Sequence, residues 1–520
     1  MNSLNTKGQG LAKNLLLLKK HQAKQETAYN KREKVNVVGA GGIVTAAYEQ
    51  LRNAAENSEE HLLLQNAIKR FFKRSFLLRD ITLIYQSGNE LAIELTLAGY
   101  IQNNSLTEQQ VSTISTIAVE YYQAYERIMQ DRSISADRAN KWVIDTLAVE
   151  ASSILKDNAE DKLFVDFAHT ELSEIIDEKA LFGHKAEDFG ASLFVAIHRS
   201  LLKSDLAVVR YALIERYQVK VHDLERYIEF NRSIDGLMAS ETTNKLMHAV
   251  DRQGAPLRIL RQMMRENSEL AEILPKREVF LDNFEKQVQR EYERVGQKLN
   301  RAIVRSVIFL IITKVLIGVA IEVPYDYLAH GRIVWLPLII NLLFPPLYML
   351  ALRATHSLPG KANTDALIDR IDTMLYGNRL VLEKSTVADK RHGAIFSFVY
   401  IVSSLVIFGA VTYGLLLLQF SLVHILIFFM FLSAASFLGF RLSRLIRELE
   451  IVRSAQNGVT FIRDLLYLPF AVVGRWMSEK YSQVNIVAIM LDMLIELPLK
   501  TVLRFVRQWG AFIDDRKDRL

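Results

Sequence analysis

The chain has 520 residues, enough for two or more domains, with 23% charged residues and a formal net charge of +6. There is no cysteine, which excludes disulfides, thiolate metal sites and a cysteine nucleophile. The charge is modest for this length, so nucleic acid is not an expected partner.

Mean hydropathy is +0.10, high for a chain so charged. The two figures agree if apolar residues are concentrated in one region. Nine prolines occur, none before Pro256. A proline-free run of that length with few glycines predicts helices, and the expected fold class is all-α.

In chain order, residues 1–34 come first, with eight Lys or Arg and two acids, Glu26 and Glu33. This reads as a basic N-terminal tail, solvated in preference to resting on anionic lipid. The first apolar run, Leu15 to Leu18, is shorter than a secretory segment of about 7–15 residues, so the N-terminus is expected in the cytoplasm.

Residues 35–275 read as a cytoplasmic helical domain. Leu62, Leu63, Ala67, Ile68, Phe71 and Phe72 share one helix face. Leu106-Thr107, Ser135 and Ser204-Asp205 open further helices. Residues 80–97 alternate at Ile81, Leu83 and Tyr85, and again at Leu91, Ile93 and Leu95, as a β-hairpin does. Their flanks are helical, and helix is the expectation there too.

After Pro275, Phe280, Phe284, Val288, Tyr292, Val295 and Leu299 recur at helical spacing. Arg290, Arg294, Lys298, Arg301 and Arg305 recur on another face. Residues 276–302 therefore read as a connector helix that enters the membrane without a break. Along it the basic residues meet the lipid surface, and Arg441, Arg444 and Arg447 do so after the last span.

A transmembrane bundle is expected over 303–440, with spans at about 303–323, 333–352, 395–418 and 422–440. Residues 395–440 hold no Asp, Glu, Lys or Arg. Basic loops alternate with non-basic ones, so both termini are expected inside. Residues 441–520 read as C-terminal amphipathic helices. The runs 461–473 and 486–502 are expected to be interfacial or re-entrant, with a further hairpin of spans as the alternative.

Tyr48 to Arg74 (YEQLRNAAENSEEHLLLQNAIKRFFKR), Glu94 to Asn103 (ELTLAGYIQN) and the tail from Arg475 through Trp509 resemble a group of polytopic membrane proteins of candidate-phyla (Patescibacteria-type) bacteria. The match is confined to short patches. That resemblance implies a multi-pass protein of a bacterial cytoplasmic membrane and carries over no functional residue.

Val37 to Gly42 echoes a dinucleotide-binding turn, but Val44 stands where the third glycine belongs and no βαβ pattern follows. Asp166, His169, Glu171 and Glu174 cluster on one helix, read as an exposed acidic face. No Glu-x-x-His pair exists to build a di-metal bundle. No enzyme motif, cofactor or metal site is expected.

The informative residues are the charges inside spans. Lys314 lies mid-span, where a lone charge costs about 2.5–3.5 kcal/mol and calls for a partner. Glu322, Asp492 and Glu496 are the candidate partners, and Asn341 with Pro345-Pro346 marks a polar kink in the second span. The leading expectation is a membrane-anchored scaffold whose cytoplasmic domain binds a protein partner. The alternative is an oligomeric channel or transporter-like protein with a polar site around Lys314. Expected partners are the bilayer, its anionic headgroups and a second copy of the chain.

Overall fold

The computed structural model describes residues 3–30, 32–37, 49, 62–131, 133–184, 188–354, 358–377, 394–452, 458–483 and 509. Regular structure among the described residues is helical; the one β feature is an isolated bridge between Lys34 and Thr107. Residues Thr6–Asn30, expected as a solvated tail, form helix α1. Leu11, Ala12 and Leu15 are buried along it, so a narrow apolar stripe prevails over the surrounding lysines.

The chain divides into two compact units. The first is built chiefly from Gln9–Glu174 and Phe182–Val250. Helix α2 (Leu63–Leu78) buries Ala67, Ile68, Phe71 and Phe72, the face its spacing predicts. Residues 80–97 are helical, as α3 (Ile81–Tyr85) and α4 (Ser87–Leu97). Gly88 decides this stretch. A Cβ there would lie 1.9 Å from the Val111 carbonyl of α5 (Glu108–Gln130), so the missing side chain lets α4 seat on α5. Thr107 and Gln110 cap α5 reciprocally. A π-helical segment, Asn140–Ile144, runs into α6 (Asp145–Leu155). Asp205 caps α7 (Leu206–Arg216), and α8 (Leu224–Ala239) follows. Buried Arg210 of α7 donates to Asn231 Oδ1 (2.8 Å) and pairs with Asp235 (2.5 Å), while Trp142 Nε1 donates to Asp235 (3.0 Å).

The second unit is built chiefly from Asp251–Val484. Helix α9 (Ala255–Glu266) packs on the 41-residue helix α10 (Arg277–Ile317). Phe280, Phe284, Val288, Tyr292 and Leu299 form the buried stripe of α10, as the spacing predicts. The helical path continues through a π segment, Gly318–Glu322, into α11 (Val323–His330). The expected end of the first span at Val323 is thus passed by seven residues. Pro324 does not break the helix because the carbonyl four residues earlier, at Ala320, lies in the wider π turn.

Helices α12 (Trp335–Ala354), α13 (Lys361–Tyr376), α14 (Ala394–Leu417), α15 (Leu422–Arg447) and α16 (Gly458–Gln483) complete the unit. Among the described residues, four helical stretches are long and apolar enough to cross a membrane: Arg277–His330, Trp335–Ala354, Phe398–Leu417 and Leu422–Arg447. Of these, α15 is the most buried and α14 the most exposed. Phe408 of α14 meets Phe429 of α15 and Phe470 of α16, with ring centroids 5.3 and 4.7 Å apart. The outward faces carry Ile308, Phe309, Ile312, Phe398, Leu405 and Leu426, all exposed. An apolar surface of that extent suits lipid rather than water. The apolar run 461–473 belongs to the longer α16, which packs along α15; residues 486–502 lie outside the described residues.

Candidate functional site

The site is written on one face of the α10–π–α11 path. Leu310, Lys314, Gly318, Glu322 and Asp326 are buried at successive steps of four. Four residues overshoot a 3.6-residue turn, so such a row should drift off its face. The π turn holds one more residue than an α turn and absorbs the drift. Lys314, Glu322 and Asp326 therefore point into the same interior.

Lys314 Nζ donates to Glu322 Oε1, eight residues on, and lies 4.9 Å from the Phe431 ring centroid on α15. Both side chains are almost wholly buried, at 2% and 0%. Asn341 Nδ2 of α12 donates to Glu322 Oε1 (3.4 Å) and to the His424 carbonyl of α15 (3.3 Å). His424 Nδ1 contacts Ser421 Oγ at 2.9 Å, and its Nε2 lies 3.4 Å from Asp326 Oδ1. Asp326 Oδ2 accepts from the Val334 N–H (2.9 Å). His330 Nδ1 lies 3.8 Å from Asp326 Oδ1 and is the exposed member, at 42%. Three apolar helical stretches thus contribute to one buried polar chain.

That chain is incompletely satisfied. Glu322 Oε2, Asp326 Oδ1, Asn341 Oδ1 and His424 Nε2 are buried without a hydrogen bond. Leaving such groups unpaired costs about 1–3 kcal/mol each, and native interiors avoid it.

Of the residues named from sequence, Lys314, Glu322 and Asn341 come together here. Asp492 and Glu496 lie outside the described residues. Three members were missed. Asp326 and His330 follow Glu322 at successive steps of four, past the end at 323 that spacing predicts for the first span. His424 sits in the run free of Asp, Glu, Lys and Arg, as an ionisable ring among apolar neighbours. Arg290, Lys298, Arg301, Arg305, Arg441, Arg444 and Arg447 are exposed, as a headgroup contact needs; Arg294 is half-buried and bonds Glu266 and Glu291.

The other sequence candidates do not converge. Asp166 pairs with Arg216 (3.2 Å), and His169 Nε2 meets the Gly190 carbonyl (3.0 Å). Among the described residues, no group of three His, Cys, Asp or Glu side chains is arranged to hold a metal ion. The glycines at 39, 41 and 42 lie outside the described residues. No known protein family, curated protein or solved structure matches the chain.

Proposed function

We propose that this is a multi-pass membrane protein of transporter- or channel-like type, with Lys314 and Glu322 as its ion-coupled pair. One observation carries the reading: four buried polar side chains with unfilled hydrogen-bonding capacity sit among helices apolar enough to span a bilayer. A bundle built only for anchorage gains nothing from that arrangement. Ionisable groups inside spans mark ion and proton routes.

The coupling is electrostatic. While Glu322 is ionised, Lys314 is compensated. Protonating Glu322, or seating a cation on it, leaves a buried ammonium without its counter-charge, at several kcal/mol. The local response is a shift of the helix at the π segment, the type of irregularity that recurs at functional sites.

Alternating basic and non-basic loops support an orientation with both termini inside, and the short-patch resemblance supports a bacterial cytoplasmic membrane. The exposed arginines of α10 and α15 support contact with anionic headgroups. A membrane-anchored scaffold is the second reading, favoured by the long α10, whose buried stripe runs from Phe280 to Leu310.

Full-length protein in liposomes, under imposed pH and cation gradients, tests the proposal. The parent is expected to carry a flux that Lys314→Met abolishes. Absence of flux in the parent, with specific capture of a protein partner by the full chain, overturns it in favour of the scaffold.

A further inference from the structure

We propose that His330, Asp326 and His424 form a proton-uptake site, opening at the end of the bundle that carries residues 331–334. The proposal deepens the transport reading and names the proton as the coupling ion.

Exposure drops from His330, at 42%, to the buried pair Asp326 and His424, at 0% and 1%. Both imidazoles face the same carboxylate oxygen, Oδ1, at 3.8 and 3.4 Å. The other oxygen is taken by the Val334 N–H. Oδ1 and His424 Nε2 both lack a hydrogen bond. With Asp326 ionised and Nε2 unprotonated, the two atoms would present lone pairs to each other. One shared proton removes the conflict, whichever atom it rests on.

The remaining neighbours fit a proton rather than a metal. Ser421 Oγ holds His424 Nδ1 at 2.9 Å, which orients the ring and accommodates either tautomer. Tyr325 lies edge-on to both imidazoles, with centroids 6.1 Å away. Phe420 meets the His424 ring edge-on, with centroids 6.1 Å apart. Glu322 follows Asp326 one turn deeper, with Lys314 and Asn341 on it. A hard cation asks for six or more oxygens, which this set does not supply.

In the proposed sequence a proton from water binds a ring nitrogen of His330, passes to Asp326 Oδ1 and is shared with His424 Nε2. His330 returns neutral and takes the next proton. Only N–H and O–H bonds form and break.

The test uses full-length protein in liposomes with two readouts: infrared difference spectra of carboxyl and imidazole protonation after a pH step, and proton flux reported by a trapped dye. The parent is expected to show a carboxyl protonation band that Asp326→Asn removes. His330→Ala, at an exposed position, is expected to slow protonation about tenfold or more, with added imidazole restoring the rate. A band that persists in Asp326→Asn overturns the site. So does an unchanged rate in His330→Ala. If Asp326→Asn does not fold, His330→Ala and its imidazole rescue decide alone. Protonation as expected with no flux in the parent keeps the uptake site and removes the transport reading. Flux equal in parent and variants does the reverse.

Discussion

Lys314 and Glu322 pair across a π segment of their own helical path, eight residues apart. Eight residues overshoot two α turns, which hold 7.2. The extra residue of the π turn closes that gap, so the segment is the device that makes the pair. Breaking a buried pair from one side is costly. Lys314→Met and Glu322→Gln are each expected to destabilise the protein by about 3–5 kcal/mol, and the double variant to recover most of the loss. Deleting Val319, an exposed residue of the π segment, turns the π turn into an α turn and leaves a separation close to the 7.2 residues of two α turns, so the pair should stay in phase and the deletion should cost less than either single change. Thermal unfolding in detergent measures all four; a deletion as costly as either single change contradicts the phase argument.

Asn363 of α13 joins three parts of its unit. Its Nδ2 donates to Tyr292 Oη of α10 and to the Leu449 carbonyl, both at 2.8 Å. Its Oδ1 accepts from the Ile451 and Val452 N–H groups at 2.8 and 3.0 Å. Asn363→Ala strands these groups in a buried place and is expected to cost about 3 kcal/mol. Asn363→Asp keeps the acceptor side alone and should fall between the two. Chemical denaturation in detergent ranks the three proteins.

Gly88 sits against the Val111 carbonyl with no room for a methyl group. Gly88→Ala is expected to destabilise the protein by about 1–3 kcal/mol, through overpacking. Gly10→Ala, where a Cβ meets nothing within 4 Å, is the control and should be neutral or slightly stabilising. Equal unfolding temperatures for the two variants would contradict the account of why residues 80–97 are helical.

Two half-buried carboxyls of the first unit make stability depend on pH. Burial raises the Glu150 carboxyl above its ordinary value, against the donated hydrogen bond from Tyr121. Burial likewise raises Asp205, against bonds from the Val208 N–H and Gln65. A raised value means that the folded state holds its proton to higher pH than the unfolded chain. The contribution is complete below the ordinary carboxylate range, near pH 4, and is lost as pH rises through the raised values. Glu150→Gln is therefore expected to flatten the acid-side dependence and raise stability at neutral pH. Unfolding temperature measured against pH for parent and variant checks the sign.

The chain contains no cysteine, so single cysteines report sidedness without background. With both termini inside, cysteine at Ser357 is expected to label from the cytoplasmic side and cysteine at Gln419, in the turn before α15, from outside. External labelling at 357 reverses the orientation and with it the side from which His330 takes protons.

Much of this protein is legible in its sequence because helical periodicity and apolar length are local properties. The face of α2, the stripe of α10, the caps at Thr107 and Asp205 and the four apolar helices follow from spacing and composition. Lys314 stood out because a mid-span charge must find a partner. What the spacing left open was how far the first apolar helix runs. A π turn has no sequence signature as strong as a cap, and Pro324 reads as a terminator until the wide turn beneath it is seen. Spacing alone therefore leaves Asp326 and His330 beyond the first span. His424 was silent in a count of Asp, Glu, Lys and Arg. Residues 80–97 carried both periods, and only the seat of Gly88 on α5 separated them.

The sequence by itself determined that the described residues are helical, with four apolar helices of bilayer length among them, and that one mid-span charge had to be paired. The tertiary structure alone decided which residues pair with it. Partners on α12 and α15 are distant in the chain, and side-chain phase along α10 depends on one extra residue in one turn. Periodicity fixes a face only while the helix stays regular.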